Sequence, residues 1–285
     1  MLLHIAHHTV FRYDRPVRHS KNEVRAVPVT DSNQTCLASS LKVVPDATFP
    51  LRYRDYHGTQ VVTFDIDEPH DIVELVAEAT VATRARSDRA AGDGWVAGSI
   101  RDELEVAEFL LPSALVTIDA DTRALARRLA APDARRTVDQ VVDWVRRTLR
   151  YERGATTVHS SVAEVLARRR GVCQDFAHVT CAVLRAAGVP ARYVSGYFAP
   201  DALRVGDEDR VDGHAWVEAG VEGQGWWAVD PTNEQAAAER HVKVGHGRDY
   251  ADVPPVRGVY RGGQGRQMEV DVRIRRLGDE RTRTG

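Results

Sequence analysis

At Gly188-Val-Pro190 the hydrophobic repeat of this chain changes from 3.6 residues to 2, and that switch constrains the fold more than any other feature. Upstream of it apolar side chains recur at helical spacing; downstream they alternate, as in half-buried strands. A run of helices followed by a run of strands predicts an α+β domain with helices packed on an antiparallel sheet, rather than a doubly wound α/β fold, in which the two types alternate.

Four helices are predicted before the switch. Asp119–Leu129 places Leu125 and Leu129 one turn apart, and Thr137–Leu149 sets Val138, Val141, Val142, Val145 and Leu149 on one stripe, with Thr137 able to cap its start. Ser161-Val-Ala-Glu164 has the form of a capping box ahead of Val165 and Leu166; Arg168–Arg170 suit the last turn of that helix, and Gly171 ends it. The fourth runs from about Cys173 to Ala187, with Phe176, Ala177, Thr180, Cys181 and Leu184 facing inward. After the switch, Ala191–Phe198, His214–Ala219 and Gly225–Asp230 read as strands, and the glycine-rich turn Gly220–Gly225 makes the last two antiparallel neighbours.

The first part of the chain has a different character. Thr9–Tyr13, Leu41–Val44, Val61–Ile66 and Ile72–Thr83 are strand-like, and Asp55-Tyr-His-Gly-Thr59 reads as a hairpin turn, which together predict a small all-β sandwich. Arg84–Gly94 is small, polar and charged, the composition of an exposed loop or linker. Two domains follow: a β-rich one over residues 1–113 and the α+β one over residues 114–285, with a polar, frayed tail from Glu280.

Charge narrows the function. There are 39 Lys and Arg against 41 Asp and Glu, a net charge of −2, which offers no excess of positive charge to a nucleic acid or an anionic membrane. The three cysteines, Cys36, Cys173 and Cys181, are too few and too irregularly spaced for a disulfide framework or a structural zinc site, so no metal and no cofactor are expected. No signal-like N-terminus and no long apolar run is present, and the expected compartment is the cytoplasm, where a reduced thiol persists.

Cys173 sits at the first turn of a predicted helix, where unpaired N–H groups and the positive end of the helix dipole favour a thiolate, the form that attacks carbonyl carbon. A free cysteine is by default a small buried hydrophobe. Two further groups change that balance. His214 opens one predicted strand and Asp230 closes the next, so in an antiparallel pair the two are cross-strand neighbours, the arrangement in which a carboxylate orients an imidazole toward a thiol.

The blocks Gly171-Val-Cys-Gln-Asp-Phe-Ala177, His214-Ala-Trp-Val-Glu218 and Asp230-Pro-Thr-Asn233 resemble the core of the transglutaminase-like superfamily, which is related in fold to the papain-like cysteine peptidases. The hairpin Asp55-Tyr-His-Gly-Thr59 and the late segment Gly247–Arg261 are similar to the bacterial two-domain branch, so the resemblance spans nearly the whole chain. It implies Cys173 as nucleophile, His214 as base and later proton donor, and Asp230 as the group that orients His214. Gly213 departs from the small polar residue, such as Ser, expected before that histidine. The Cys173 N–H is the candidate oxyanion donor.

Other residues have plainer expected roles. Asp175 suits a helix N-terminus; Gln174 faces the cleft only if its helical position allows; Trp216, Trp226 and Trp227 suit core and cleft wall; His159 and Tyr151 suit surface or packing positions; and His178 lacks the spacing of a helical ligand pair. The expected activity is acyl transfer from an amide or peptide bond through a thioester, with a peptide or protein substrate and with hydrolysis favoured over transamidation. Three alternatives stand beside it: protein-glutamine cross-linking, arylamine-type acyl transfer from a thioester cofactor, and a non-catalytic scaffold.

Overall fold

The computed structural model describes residues 1–85, 106–233 and 235–279. The loop expected at Arg84–Gly94 lies outside the described residues from position 86 onward, as does the polar tail from Glu280. The first strands are β1 (Leu2–Val24), β2 (Gln34–Val44), β3 (Thr48–Arg54), β4 (Gln60–Ile66) and β5 (His70–Thr83). Helices α1 (Ala120–Leu129), α2 (Ala134–Thr148), α3 (Val162–Arg168) and α4 (Cys173–Ala186) follow, with the two-residue strands β6 (Arg150–Tyr151) before α3 and β7 (Arg170–Gly171) after it. The remaining strands are β8 (Ala191–Phe198), β9 (Glu208–Val211), β10 (Gly213–Val221), β11 (Gly225–Asp230), β12 (Gln235–Ala236), β13 (His241–Gly247), β14 (Val256–Gly262) and β15 (Gly265–Gly278).

The β-rich region is one curved eight-stranded sheet and not the sandwich that local alternation suggests. β1 is long enough to change partners along its length. Its first half lies between β5 and β15, its second half between β4 and β14, and the pairing slips between Arg12 and Val17, where the strand bends. β9, β14 and β15 come from the later part of the chain, so the C-terminal strands of residues 114–285 complete the first sheet. Such pairings leave no local mark on a sequence, because each strand alternates in the same way whichever partner it has.

The second sheet, ordered β12-β11-β10-β8-β13, is antiparallel throughout, and α4 lies across β8 and β10. Every side chain of α4 from Gln174 to Arg185 is buried, because α1, α2 and α3 cover its outer faces through Leu125, Val138, Val141, Val145 and Val165. Each such fully buried Val or Leu contributes roughly 1.5–3 kcal/mol to the folded state. A helix buried all round has no polar face, which is why its sequence shows a less clear stripe than α2.

Two helix ends differ from expectation. Asp133, not Thr137, caps α2 by accepting from the Arg136 N–H at 2.8 Å, and Thr137 is buried one turn inside, its hydroxyl accepting from the Ala131 N–H at 3.0 Å. α3 has its capping box at Ser161 and Glu164 but ends at Arg169 in the left-handed region (φ 51°), ahead of Gly171. Gly171 is needed for another reason, given below.

The two sheets are joined by a shared apolar cluster that includes Leu3, Ile5, Tyr197, Val242 and Ile274. Beside it the buried Gln34 amide donates to the Val29 and Lys243 carbonyls at 2.6 and 2.8 Å, and its oxygen accepts from the Lys243 N–H at 2.8 Å. All three of its bonds are made across buried backbone, so the joint is specific as well as apolar.

Candidate active site

Cys173 is the first residue of α4 and is half-buried. The position before it, Val172, has no side chain that could cap the helix, and Asp175 supplies the missing acceptor from inside the first turn. Its Oδ2 accepts from the Val172 N–H at 2.7 Å and from the Thr156 hydroxyl at 2.6 Å. Burial pushes the Asp175 carboxyl up in pKa, and those two donors oppose the shift. The carboxylate crosses so close to Gly171 that a Cβ there would stand 2.7 Å from Asp175 Cβ. Glycine before the cysteine and aspartate after it are thus one device that holds the helix end bearing the thiol.

His214 and Asp230 lie on adjacent strands, as expected, but meet diagonally. The register pairs Val217 with Val229, so Trp216 falls opposite Asp230, with His214 two residues further along the same face. His214 Nε2 donates to Asp230 Oδ2 at 2.7 Å, and Trp216 stacks beside the imidazole with ring centres 6.0 Å apart. The Cys173 side chain lies near enough to the imidazole to help raise its pKa, and Nδ1 is the ring nitrogen that Asp230 leaves free. The sulfur lies 3.9 Å from the Gly213 carbonyl oxygen. Burial pulls the imidazole pKa down, but Asp230 and Cys173 overcome it and raise the value to about 9.

Asp230 is fully enclosed and satisfied by five donors. Oδ1 accepts from the Thr232 and Asn233 N–H groups at 2.9 and 3.1 Å; Oδ2 accepts from His214, from His241 Nε2 at 2.9 Å and from the Asn233 amide at 3.1 Å. Burial opposes ionisation, yet the two histidines hold the carboxyl well below the usual range. His241, at the start of β13, gives no signal in the sequence, because its motif role depends on a strand that pairs on the far side of β8.

The His214, Asp230 and His241 ligand atoms lie within 4.8 Å of one another, close enough for a metal ion. The proton positions favour a hydrogen-bonded cluster instead. The Ala238 N–H donates to His241 Nδ1 at 3.2 Å, which leaves the ring proton on Nε2, pointing at Asp230. Burial lowers the His241 pKa, and the Asp230 hydrogen bond only partly offsets this, so the ring is a neutral donor.

A cavity of about 200 Å³ opens at Cys173 and His214, with Tyr193, Tyr197, His7 and Arg25 among its lining. Gln174 also lines it, its amide held by the Val158 carbonyl at 3.1 Å. Tyr151 is near enough to Cys173 for the sulfur to add to the effect of burial in raising the phenol pKa. Trp226 and Trp227 instead take up Arg192 and Arg135 over their rings at 4.1 and 3.5 Å. His178 is buried within the fold, accepts from the Tyr250 N–H at 3.1 Å and packs on Tyr193; His159 is exposed.

Known proteins resemble the chain in both of its regions. Residues 123–231 match the transglutaminase-like superfamily, and residues 3–82 match the bacterial transglutaminase-like N-terminal region. An uncharacterized protein of Mycobacterium leprae is 37% identical over 281 residues, covering 96% of this chain and 99% of its own. A protein-glutamine gamma-glutamyltransferase of Pseudomonas aeruginosa is 41% identical over 105 residues, 33% of this chain and 15% of that one. The crystal structure of a provisionally named cysteine protease from Cytophaga hutchinsonii has the same fold, with a TM-score of 0.74 and 24% identity over 95% of this chain and 90% of that one. The chain belongs to the transglutaminase-like superfamily and carries that superfamily's bacterial N-terminal region.

Proposed function

We propose that the protein is a cysteine-dependent acyl-transfer enzyme acting on amide bonds of peptides or proteins, with Cys173 as nucleophile, His214 as acid and base, and Asp230 as the orienting carboxylate. One observation carries the reading: a single imidazole shares a cavity with the Cys173 thiol, which helps to raise its pKa, and is hydrogen-bonded through Nε2 to a fully enclosed carboxylate.

The chemistry follows from those contacts. His214 takes the thiol proton, and the thiolate adds to the carbonyl carbon of the substrate amide. The oxyanion formed is received by N–H groups at the open end of α4, that of Cys173 itself first. As the C–N bond breaks, the imidazolium returns its proton to the departing amine, leaving a thioester. Water, deprotonated by His214, then adds to the thioester carbonyl, and the acid leaves as the thiol is regenerated. The small cavity at Cys173 suits the acyl group, and water as acceptor needs no further room. Hydrolysis is therefore favoured. Transamidation is the second reading, supported by the 41% identity to the Pseudomonas transferase across 105 residues.

Incubation with a cell-extract peptide mixture, beside the Cys173→Ala variant, tests the proposal by mass. Cleaved peptides, deamidated glutamines and cross-linked pairs are distinguishable, and each should be absent with the variant. Products that persist with Cys173→Ala, or no Cys173-dependent change at all, would overturn the catalytic reading in favour of a scaffold.

A further inference from the structure

The cavity at Cys173 is shared between the two sheets. Its far wall is formed by β1, through His7 and by way of Arg25 just past the strand's end. Arg25 is only 7% exposed, and its guanidinium is partly engaged: Nε donates to Asp55 Oδ2 at 3.3 Å and Nη1 to Glu23 Oε2 at 3.1 Å. Nη2 makes no hydrogen bond to any described residue. Arg25 also lines a polar cleft of about 430 Å³ beside the Asp55–Thr59 hairpin, so it stands where the two spaces meet. Nη2 is not one of the sealed, unpartnered polar atoms, so it is open to the surrounding space, where a ligand or water can accept from it.

Charge balance decides which ligand fits. Glu23 and Asp55 already compensate Arg25, and Arg257 donates to Glu23 at 2.9 Å, so two cations face two anions. A ligand carboxylate would add a third anion and lose its water; a neutral carbonyl oxygen would accept the same N–H without adding charge. The surroundings toward Cys173 are apolar, from Val158, Val172, Val244, Tyr197 and Pro255. His7 is neutral there, because burial holds its ring down to a pKa of about 4, and its Nδ1 is engaged with the Tyr197 hydroxyl at 2.8 Å.

We infer that Arg25 forms a specificity subsite for the acyl donor, donating through Nη2 to a neutral carbonyl or carboxamide oxygen that lies beyond an apolar stem from the carbonyl attacked at Cys173. Internal peptide segments meet that description and free acids do not. The β domain thereby takes part in substrate choice. This subsite rests on Cys173 as the nucleophile of the proposed function.

The test is a series of N-substituted iodoacetamides, in which the Cys173 thiolate displaces iodide. Each carries an alkyl chain of one to four methylenes ending in a carboxamide, a carboxylate or an ethyl group. Labelling rates at Cys173, read by mass, should favour the carboxamide over both others at one chain length by roughly 3- to 10-fold, the effect of one hydrogen bond. In Arg25→Lys, which keeps the charge but not the fork, that ratio should fall toward one. No end-group preference in the wild type, a preference for the carboxylate, or a carboxamide preference undiminished in folded Arg25→Lys overturns the subsite. The wild-type series decides even if the variant does not fold. If plain iodoacetamide labels Cys36 ahead of Cys173, the nucleophile assignment has failed instead.

Discussion

His241 donates through Nε2 to the same Asp230 oxygen, at 2.9 Å, that accepts from His214 at 2.7 Å. A neutral ring fixed by the Ala238 N–H therefore helps to hold the carboxylate against which His214 is set. His241→Phe removes a hydrogen bond to a buried charge and should destabilise the fold by roughly 1.5–3 kcal/mol. It should also lower turnover, and the kinetic loss should be much smaller in an Asp230→Asn background, because both changes act on one group. Equal kinetic losses in the two backgrounds would show that His241 acts independently of Asp230.

Gly171→Ala places a methyl group against the Asp175 side chain. Overpacking of this kind costs roughly 1–3 kcal/mol, and here the displaced group is the carboxylate that holds the start of α4. Thermal unfolding should register that loss, and Cys173 should react more slowly with iodoacetamide in the variant than in the wild type. An unchanged melting temperature would mean that the helix end tolerates the methyl group.

Stability should peak near neutral pH. The His214 pKa is about 9 in the folded protein, above the ordinary 6.5, so its contribution is full below about 6.5 and is lost as pH rises through 9. His7 and His178 run the other way: burial lowers each to about 4, so their contribution is full above about 6.5 and is lost as pH falls through 4. Melting temperature measured from pH 4 to 10 should fall on both sides, and Asp230→Asn should flatten the alkaline side. A wild-type curve still rising between pH 8 and 10 contradicts the His214 assignment.

The three thiols should differ in reactivity. Cys181 is wholly buried, which pushes its pKa up to about 11, and burial also raises that of Cys36. Iodoacetamide at neutral pH should modify Cys173 first and Cys181 only after unfolding, as peptide mass mapping of partly labelled protein would reveal.

Much of this site is legible in the sequence, and the reason is local. Cys173 is placed by a helix start whose glycine and aspartate each lie two residues from it in the chain, and His214 and Asp230 by two strands joined through a short turn. Alternation and capping residues suffice to find such elements. His241 and Arg25 reach the site from segments whose positions depend on pairing with distant strands, and nothing around either residue in the chain marks it. The single curved sheet is hidden for the same cause: β1 pairs with β4 and β5 before the helices in the chain and with β14 and β15 after the second sheet. Thr137 misleads differently, since a threonine before an apolar stripe fits a cap, while Asp133 lies one turn earlier beyond the periodic residues.

The pairing of β1 with β14 and β15 sets an order of events during synthesis. β1 leaves the ribosome early and its partners leave late, so the side of the cleft that carries His7 and Arg25 stays unfinished while the helix bearing Cys173 is already available. The early strands β4 and β5 can back that side of the cleft as soon as they are made, and it is completed when β14 and β15 pair with β1.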